Sequence, residues 1–248
     1  MNRLAIVTSH PIQYYAPVFQ RLAQKNPDIK VFYTWGEESI KKYDPDFKKA
    51  IEWDIPLLEG YSYEFLENTA PRPGTSHFRG IVNPSAVKAI HQFNPDAILV
   101  YGWSWQSHLQ IIRHFSGKIP IWFRGDSTCM DTLPWHKNLV RLILLHWIYR
   151  HVHIAFYVGT ENKKYYRRFG LKHEQLRFAP HAIDNSRYGI DYSAQANDLR
   201  RRLQIPPGGI LLLFAGKFEA KKDPVILLKA FERLQKTNVY LLFVGNGE

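Results

Sequence analysis

Two lysines bracket a short segment where an apolar run gives way to a helical one. Gly216-Lys217-Phe218-Glu219-Ala220-Lys221-Lys222-Asp223 follows Ile210–Ala215, which has the length of a strand, and precedes Pro224–Gln235, which has helical spacing. A strand, a tight turn and a helix N-terminus gather backbone N–H donors and ammonium groups around one point, which suits a diphosphate. Fixed cations there would stabilise the negative charge that builds on the phosphates as a nucleoside diphosphate departs. Lysines ahead of a helix are also common on surfaces, so a solvated turn is the competing reading.

Other candidates sit just after apolar runs, where open α/β sheets place their ligands. After Leu4–Thr8 come His10 and Gln13, either hydrogen-bonding or acid/base groups facing a cleft, or parts of a capped turn. The segment is not a G-x-G-x-x-G loop, which disfavours dinucleotide binding. After Ala97–Tyr101 come Trp103 and Trp105, whose indoles would stack on a sugar or lipid head or pack the next helix. After Ile119–Phe123 come Arg124 and Asp126. The planar fork of Arg124 suits a phosphate or carboxylate. Asp126 would orient a hydroxyl or cap a helix, or the two would simply pair. Asp44-Pro45-Asp46 has the D-x-D form of a metal motif but reads as a solvated loop. The 11 histidines show no metal-ligand spacing, so no metal site is expected. No G-x-S-x-G or P-loop pattern occurs.

These residues need a scaffold, and the apolar pattern supplies one. Leu4–Thr8, Ile29–Tyr33, Ala97–Tyr101, Ile119–Phe123, Val152–Tyr157 and Leu176–Ala179 read as strands. Helical spacing fills the gaps over Ala16–Gln24, Pro84–Phe93, Trp105–Phe115, Lys137–Arg150 and Glu161–Phe169. Strand-helix alternation with continuous apolar strands predicts a parallel sheet covered on both faces. Trp35–Gly80 breaks the rhythm with four prolines and reads as extra strands or a loop. A helix is expected over Ala194–Leu203 with Ser193 as N-cap. After Pro206-Pro207-Gly208-Gly209 a new strand-helix-strand unit begins, ending on Val239–Val244, with Asp223 as N-cap and Pro224 in the first turn. The expected organisation is a Rossmann-type domain over 1–185, a linker over 186–208, and one βαβ unit over 209–248. One βαβ buries too little apolar surface to stand alone as a two-faced domain.

Hydrophobic residues make up 45% of the 248 and charged residues 22%, which describes a globular chain. The net charge of +11 favours a polyanionic partner: nucleic acid, an anionic membrane or a phosphorylated substrate. Cys129 is the only cysteine, so no intrachain disulfide forms. The apolar stretch at the start is too short for a signal peptide, and Leu139–Phe156 is too interrupted by Arg and His to span a bilayer. A cytoplasmic protein is the expectation.

Several segments together resemble the family-4 retaining glycosyltransferases of the GT-B fold. Gly216 to Asp223 looks like their G-R-x-x-x-x-K-G segment, with Lys217 in place of the arginine and Lys222 on the lysine. Ala179-Pro180-His181-Ala182-Ile183-Asp184 followed by Tyr188 is similar to the linker pattern P-N-G-x-D-x-x-x-F. Leu199-Arg200-Arg201-Arg202-Leu203-Gln204-Ile205-Pro206 looks like the short helix ahead of the second domain.

The resemblance implies an α/β, GT-B-like fold: a Rossmann-type first domain plus an incomplete second Rossmann-type domain. It implies metal-independent transfer of a sugar from a nucleotide-sugar donor, which is a substrate, so no cofactor is expected. Gly216, Lys217 and Lys222 would hold the donor diphosphate. A glycan or lipid-linked acceptor would enter from the first domain, near His10, Gln13 and Trp103. Asp126 falls where many members carry a histidine near the donor sugar, and with Arg124 it is the expected catalytic group. The family's two glutamates separated by seven residues, and its returning helix, would lie beyond Glu248. Peripheral contact at the inner face of an anionic membrane suits the basic charge and the Lys137–Arg150 helix. Two other readings stay open: a nucleotide-sugar epimerase, and a basic nucleic-acid-binding protein, against which the absence of any recognition motif counts.

Overall fold

A computed structural model describes residues 3–41, 43–44, 49–50, 55–131 and 133–247. The chain divides into two units, Met1–Lys41 with Trp53–Asp184, and Lys42–Glu52 with Asn185–Glu248.

In the first unit the apolar runs form strands and the amphipathic segments form helices. In chain order they are β1 (Leu4–Thr8), α1 (Ala16–Lys25), β2 (Ile29–Tyr33), and, within the second unit, β3 (Tyr43–Asp44) and β4 (Lys49–Ala50). There follow β5 (Ser62–Phe65), α2 (Ala86–Phe93), β6 (Ala97–Tyr101), α3 (Gln106–Phe115) and β7 (Ile121–Arg124). The unit closes with α4 (Trp135–Tyr149), β8 (Ile154–Tyr157), α5 (Thr160–Arg168) and β9 (Leu176–Phe178). Its seven strands make one parallel sheet in the order β5-β2-β1-β6-β7-β8-β9. The chain winds outward from β1 to β5, then returns to lay β6 beside β1 and winds the other way. The crevice between β1 and β6 is therefore the topological switch point, the position where such sheets bind ligands.

All five residues of β6 are buried, as are the last four of β1. One core, with Val100, Phe115 and Phe123, packs α2, α3 and α4 on one face. A second, with Ile6, Phe19 and Tyr33, packs α1 on the other. Each buried Val, Leu, Ile or Phe contributes about 1.5–3 kcal/mol over leaving it in water. That burial explains why continuous apolar runs, not alternating ones, mark these strands.

The second unit contains α6 (Asn185–Tyr188), α7 (Ser193–Arg202), β10 (Ile210–Ala215), α8 (Pro224–Arg233) and β11 (Val239–Val244). β10 and β11 pair in parallel, Ile210 against Val239 through Ala215 against Val244, and β3 and β4 pair antiparallel.

The strands expected from Ile119 and Val152 each start two residues later in the structure, because their first residues complete the preceding turns: Ile119 N donates to the Phe115 carbonyl and Val152 N to that of Tyr149. The strand expected at Leu176 ends one residue early, at Phe178. Within Trp35–Gly80 the structure adds β5, which extends the sheet beside β2. Ser193 is the first residue of α7 and not its cap; its N–H and hydroxyl both donate to Asp191, at 2.9 and 2.5 Å. Asp223 does cap α8, accepting from Ile226 N at 3.1 Å ahead of Pro224. Asp44 belongs to β3, while Pro45 and Asp46 lie outside the described residues.

Candidate functional site

The turn after β1 opens the site in the first unit. Trp35 N donates to the Ser9 carbonyl at 2.8 Å, and Thr34 N to that of Thr8, so the exits of β1 and β2 are tied together. His10 is half-buried: Ser9 Oγ lies 2.9 Å from its Nδ1, and its ring meets Trp35 edge-on at 5.3 Å. Gln13 is half-buried in the turn that enters α1, where Tyr15 N and Ala16 N both donate to the Ile12 carbonyl.

At the same edge the end of β7 brings Arg124 and Asp126 beside two tyrosines of that turn. Burial pushes the Tyr15 phenol up to about 12, and the neighbouring Tyr14 and Asp126 add to the shift while Arg124 opposes it through charge and a hydrogen bond. Burial and then the Asp126 charge raise Tyr14 as well. Tyr14 is 44% exposed and meets His181 edge-on at 6.2 Å. Tyr166 donates to the Gly125 carbonyl at 2.9 Å, and Asn162 Nδ2 to that of Ser127 at 2.8 Å, which pins the loop carrying Asp126. Asp126 itself is exposed. The edge thus presents a carboxylate and phenols held neutral at physiological pH, groups that suit the hydroxyls of a polar ligand.

Arg124 faces inward. It is buried, and its guanidinium donates to the carbonyls of Ala179 at 2.6 Å and Pro180 at 3.3 Å. A guanidinium so engaged anchors the segment leaving β9. Trp103 packs against the larger core, and Trp105 donates its indole N–H to the Thr75 carbonyl at 3.2 Å. Of the residues expected at this edge, the structure therefore brings His10, Gln13 and Asp126 to solvent-accessible positions and turns Arg124 and Trp103 toward the interior.

In the second unit the turn after β10 is zipped to the turn after β11. Gly216 N donates to the Val244 carbonyl at 2.9 Å, Phe218 N to that of Asn246 at 2.8 Å, and Phe218 bridges Gly247. A Cβ at Gly245 would sit 1.8 Å from the Gly216 carbonyl oxygen, and one at Gly247 would sit 2.2 Å from that of Phe218. Only glycine permits this approach. Phe214, Phe218 and Phe243 cluster with ring centres 5.4–6.0 Å apart behind the turn. Lys217 is half-buried in it, and Lys222 is exposed where α8 begins. At the start of α8 Pro224 has no N–H and the Asp223 carboxylate takes the Ile226 amide, while Lys222 N and Asp223 N both donate to the Glu219 carbonyl.

Sequence reasoning missed Tyr14, Tyr15 and Asn162, which carry no motif. It also passed over Gly245-Asn246-Gly247, where a G-x-G directly after a strand was a readable signal. Among the described residues, no three His, Cys, Asp or Glu side chains gather as metal ligands.

No protein-family model matches the chain, and no curated protein sequence matches it. Solved structures do match. HepE from Anabaena, in complex with UDP and glucose, superposes with a TM-score of 0.63 at 15% identity, over 100% of this chain and 62% of that one. The trehalose 6-phosphate synthase of Burkholderia multivorans gives 0.62 at 14%, over 99% and 65%. The UDP-N-acetylglucosamine 2-epimerase of Rickettsia bellii gives 0.53 at 17%, over 98% and 61%. The fold is GT-B-like. At these identities the likeness is one of fold, and the chain spans about three fifths of the length of these neighbours.

Proposed function

We propose that this chain carries part of a retaining, metal-independent glycosyltransferase of the family-4 type. It moves a sugar from a nucleoside-diphosphate sugar to a glycan or lipid-linked acceptor. The observation that carries this reading is the turn after β10. There Gly216, Lys217 and Lys222 stand between a parallel strand and a helix N-terminus, and the Gly245–Gly247 turn locks the backbone. Such a turn offers the donor diphosphate two ammonium groups, while the Gly216, Phe218, Lys222, Asp223 and Ile226 amides are engaged within the unit. The acceptor side is the edge at β1, β6 and β7, with His10, Gln13 and Asp126 available to sugar hydroxyls.

The second unit leaves apolar side chains exposed: Leu213 at 62%, Ile226 at 63% and Val225 at 56%. In a full Rossmann domain further strands and helices cover such faces, so the donor pocket is read as half built. The binding test therefore runs on this chain and on any longer chain that contains it. UDP-glucose and other UDP-, GDP- and ADP-sugars are titrated by calorimetry or thermal shift against wild type, Lys217→Ala and Lys222→Ala. Binding by wild type that both substitutions weaken supports the reading; binding that both leave intact, or none at all, rejects it.

UDP-N-acetylglucosamine 2-epimerases are also among the structural neighbours. Product analysis separates the two: a transferase releases nucleoside diphosphate and a glycosylated acceptor, an epimerase releases an isomeric nucleotide sugar.

A further inference from the structure

Helix α4 is buried along one side only. Leu145, Ile148 and Tyr149 face the core, while Trp135 is 77% exposed, Val140 65%, Ile143 64% and Leu139 49%. Met130, in the loop leading to the helix, is 75% exposed. Solvated helices carry polar side chains on the outward face, so a contiguous apolar face of this kind marks a surface that something else covers.

The charge around it says what. No Asp or Glu occurs from Leu133 to Thr160, whereas Lys137, Arg141 and Arg150 lie on or next to α4. Beside the apolar face is a cavity of about 230 Å³ lined by Leu133, Asn138, Arg141, Arg168, Asp131 and Cys129, with Phe169 at its wall. Arg141 is fixed there, over the rings of Tyr165 at 5.1 Å and Phe169 at 5.5 Å, and it donates to the Thr128 carbonyl at 3.3 Å. Arg168 lies over Phe169 at 5.8 Å. Two guanidinium groups at the border of an exposed Trp, Leu, Val and Ile face match a phosphate beside acyl chains.

We propose that the outer face of α4, with the Arg141–Arg168 cavity beside it, docks on an anionic phospholipid bilayer. Trp135, Leu139, Val140 and Ile143 enter the headgroup–acyl boundary, and the cavity takes a lipid phosphate. No helix among the described residues is long and apolar enough to cross a membrane, so the contact is interfacial. The helix after a parallel strand starts at the carboxyl edge of the sheet, so α4 begins on the side of Arg124 and Asp126. Docking there would present that edge to a lipid-borne molecule.

The test needs no sugar donor, so its failure is distinct from failure of the transferase reading. The full chain is sedimented with vesicles of phosphatidylcholine alone, or of phosphatidylcholine with phosphatidylglycerol. Binding is expected to the anionic vesicles, weakening steeply with salt. Val140→Glu with Ile143→Glu should lower the partition coefficient at least about tenfold with the circular dichroism unchanged. Arg168→Glu should lower it several-fold. Brominated lipids should quench tryptophan emission in wild type and not in Trp135→Phe, a readout that survives if the double variant misfolds. The proposal is overturned by equal binding to neutral and anionic vesicles, or by no loss in the variants. It is also overturned by a dimer in gel filtration that the double variant dissolves, since a second copy would then cover the face.

Discussion

His108 Nε2 lies 2.9 Å from Thr34 Oγ1, joining α3 to the end of β2 at full burial. The other ring nitrogen, Nδ1, faces the carbonyls of Tyr101 and Gly102 at 3.1 Å each, which only an N–H can satisfy. A neutral ring then carries its proton on Nδ1 and accepts at Nε2, which draws the single Thr34 hydroxyl proton away from the Thr8 carbonyl 3.2 Å from it. Burial holds its pKa down to about 4, against 6.5 ordinarily.

That depression sets a pH dependence. Between about 4 and 6.5 the unfolded chain binds a proton that the folded chain refuses, so stability rises with pH across this window. The contribution is complete above 6.5 and is lost as pH falls toward 4, on the order of 3 kcal/mol. Urea unfolding at pH 7 and near pH 4.5 should show the loss in wild type and a smaller one in His108→Gln. Equal pH slopes for the two proteins would rule this out.

Arg124→Ala should act on stability first. It deletes the bonds to the Ala179 and Pro180 carbonyls and leaves them in a half-buried setting, a loss of about 2–4 kcal/mol. Thermal melts of Arg124→Ala and Arg124→Lys should both fall, because a lysine cannot reproduce the two-armed contact. Asp126→Asn, at an exposed position, should melt like wild type; if the proposed sugar transfer is right, only its rate should fall.

At the turn after β10, Lys217→Ala and Lys222→Ala should each weaken nucleoside-diphosphate binding by about tenfold, the worth of one charge-assisted contact. Raising salt should shrink the effect of the exposed Lys222 more than that of the half-buried Lys217. Calorimetry with UDP at two ionic strengths reads both.

Gly245→Ala forces a Cβ to within 1.8 Å of the Gly216 carbonyl oxygen, so the two turns must part. The expected cost is about 1–3 kcal/mol to the second unit, as for other overpacked sites. Nucleotide affinity should drop with it, since Lys217 sits on the displaced turn. Hydrogen exchange at Gly216 and Phe218 N–H would report the opening directly; unchanged protection would contradict the close approach.

Much of the fold was legible because burial on both faces of a sheet demands unbroken apolar runs. β1, β2 and β6 begin and end where those runs do; β10 and β11 do so as well, although their side chains are half-buried or exposed. β5 was hidden, since Ser62-Tyr63-Glu64-Phe65 is an edge strand whose outer side meets solvent and whose partner, β2, lies about thirty residues back. Asp223 was readable as a cap from its place before Pro224. Ser193 was misread as one, because Asp191 two residues earlier offers the stronger acceptor.

By itself the sequence determined the alternation of strand and helix, the charge, and the positions just after strands where ligand groups belong. Apolar period, turn residues and caps act within a few neighbours, so they survive in a linear reading. The strand order was decided in three dimensions, and with it the convergence of Tyr14 and Tyr15 on Arg124 and Asp126. So were the inward turn of Arg124 onto carbonyls 55 and 56 residues away and the solvent-facing side of α4. Those outcomes depend on which surfaces meet when the sheet assembles, and chain-distant packing leaves no local pattern to read.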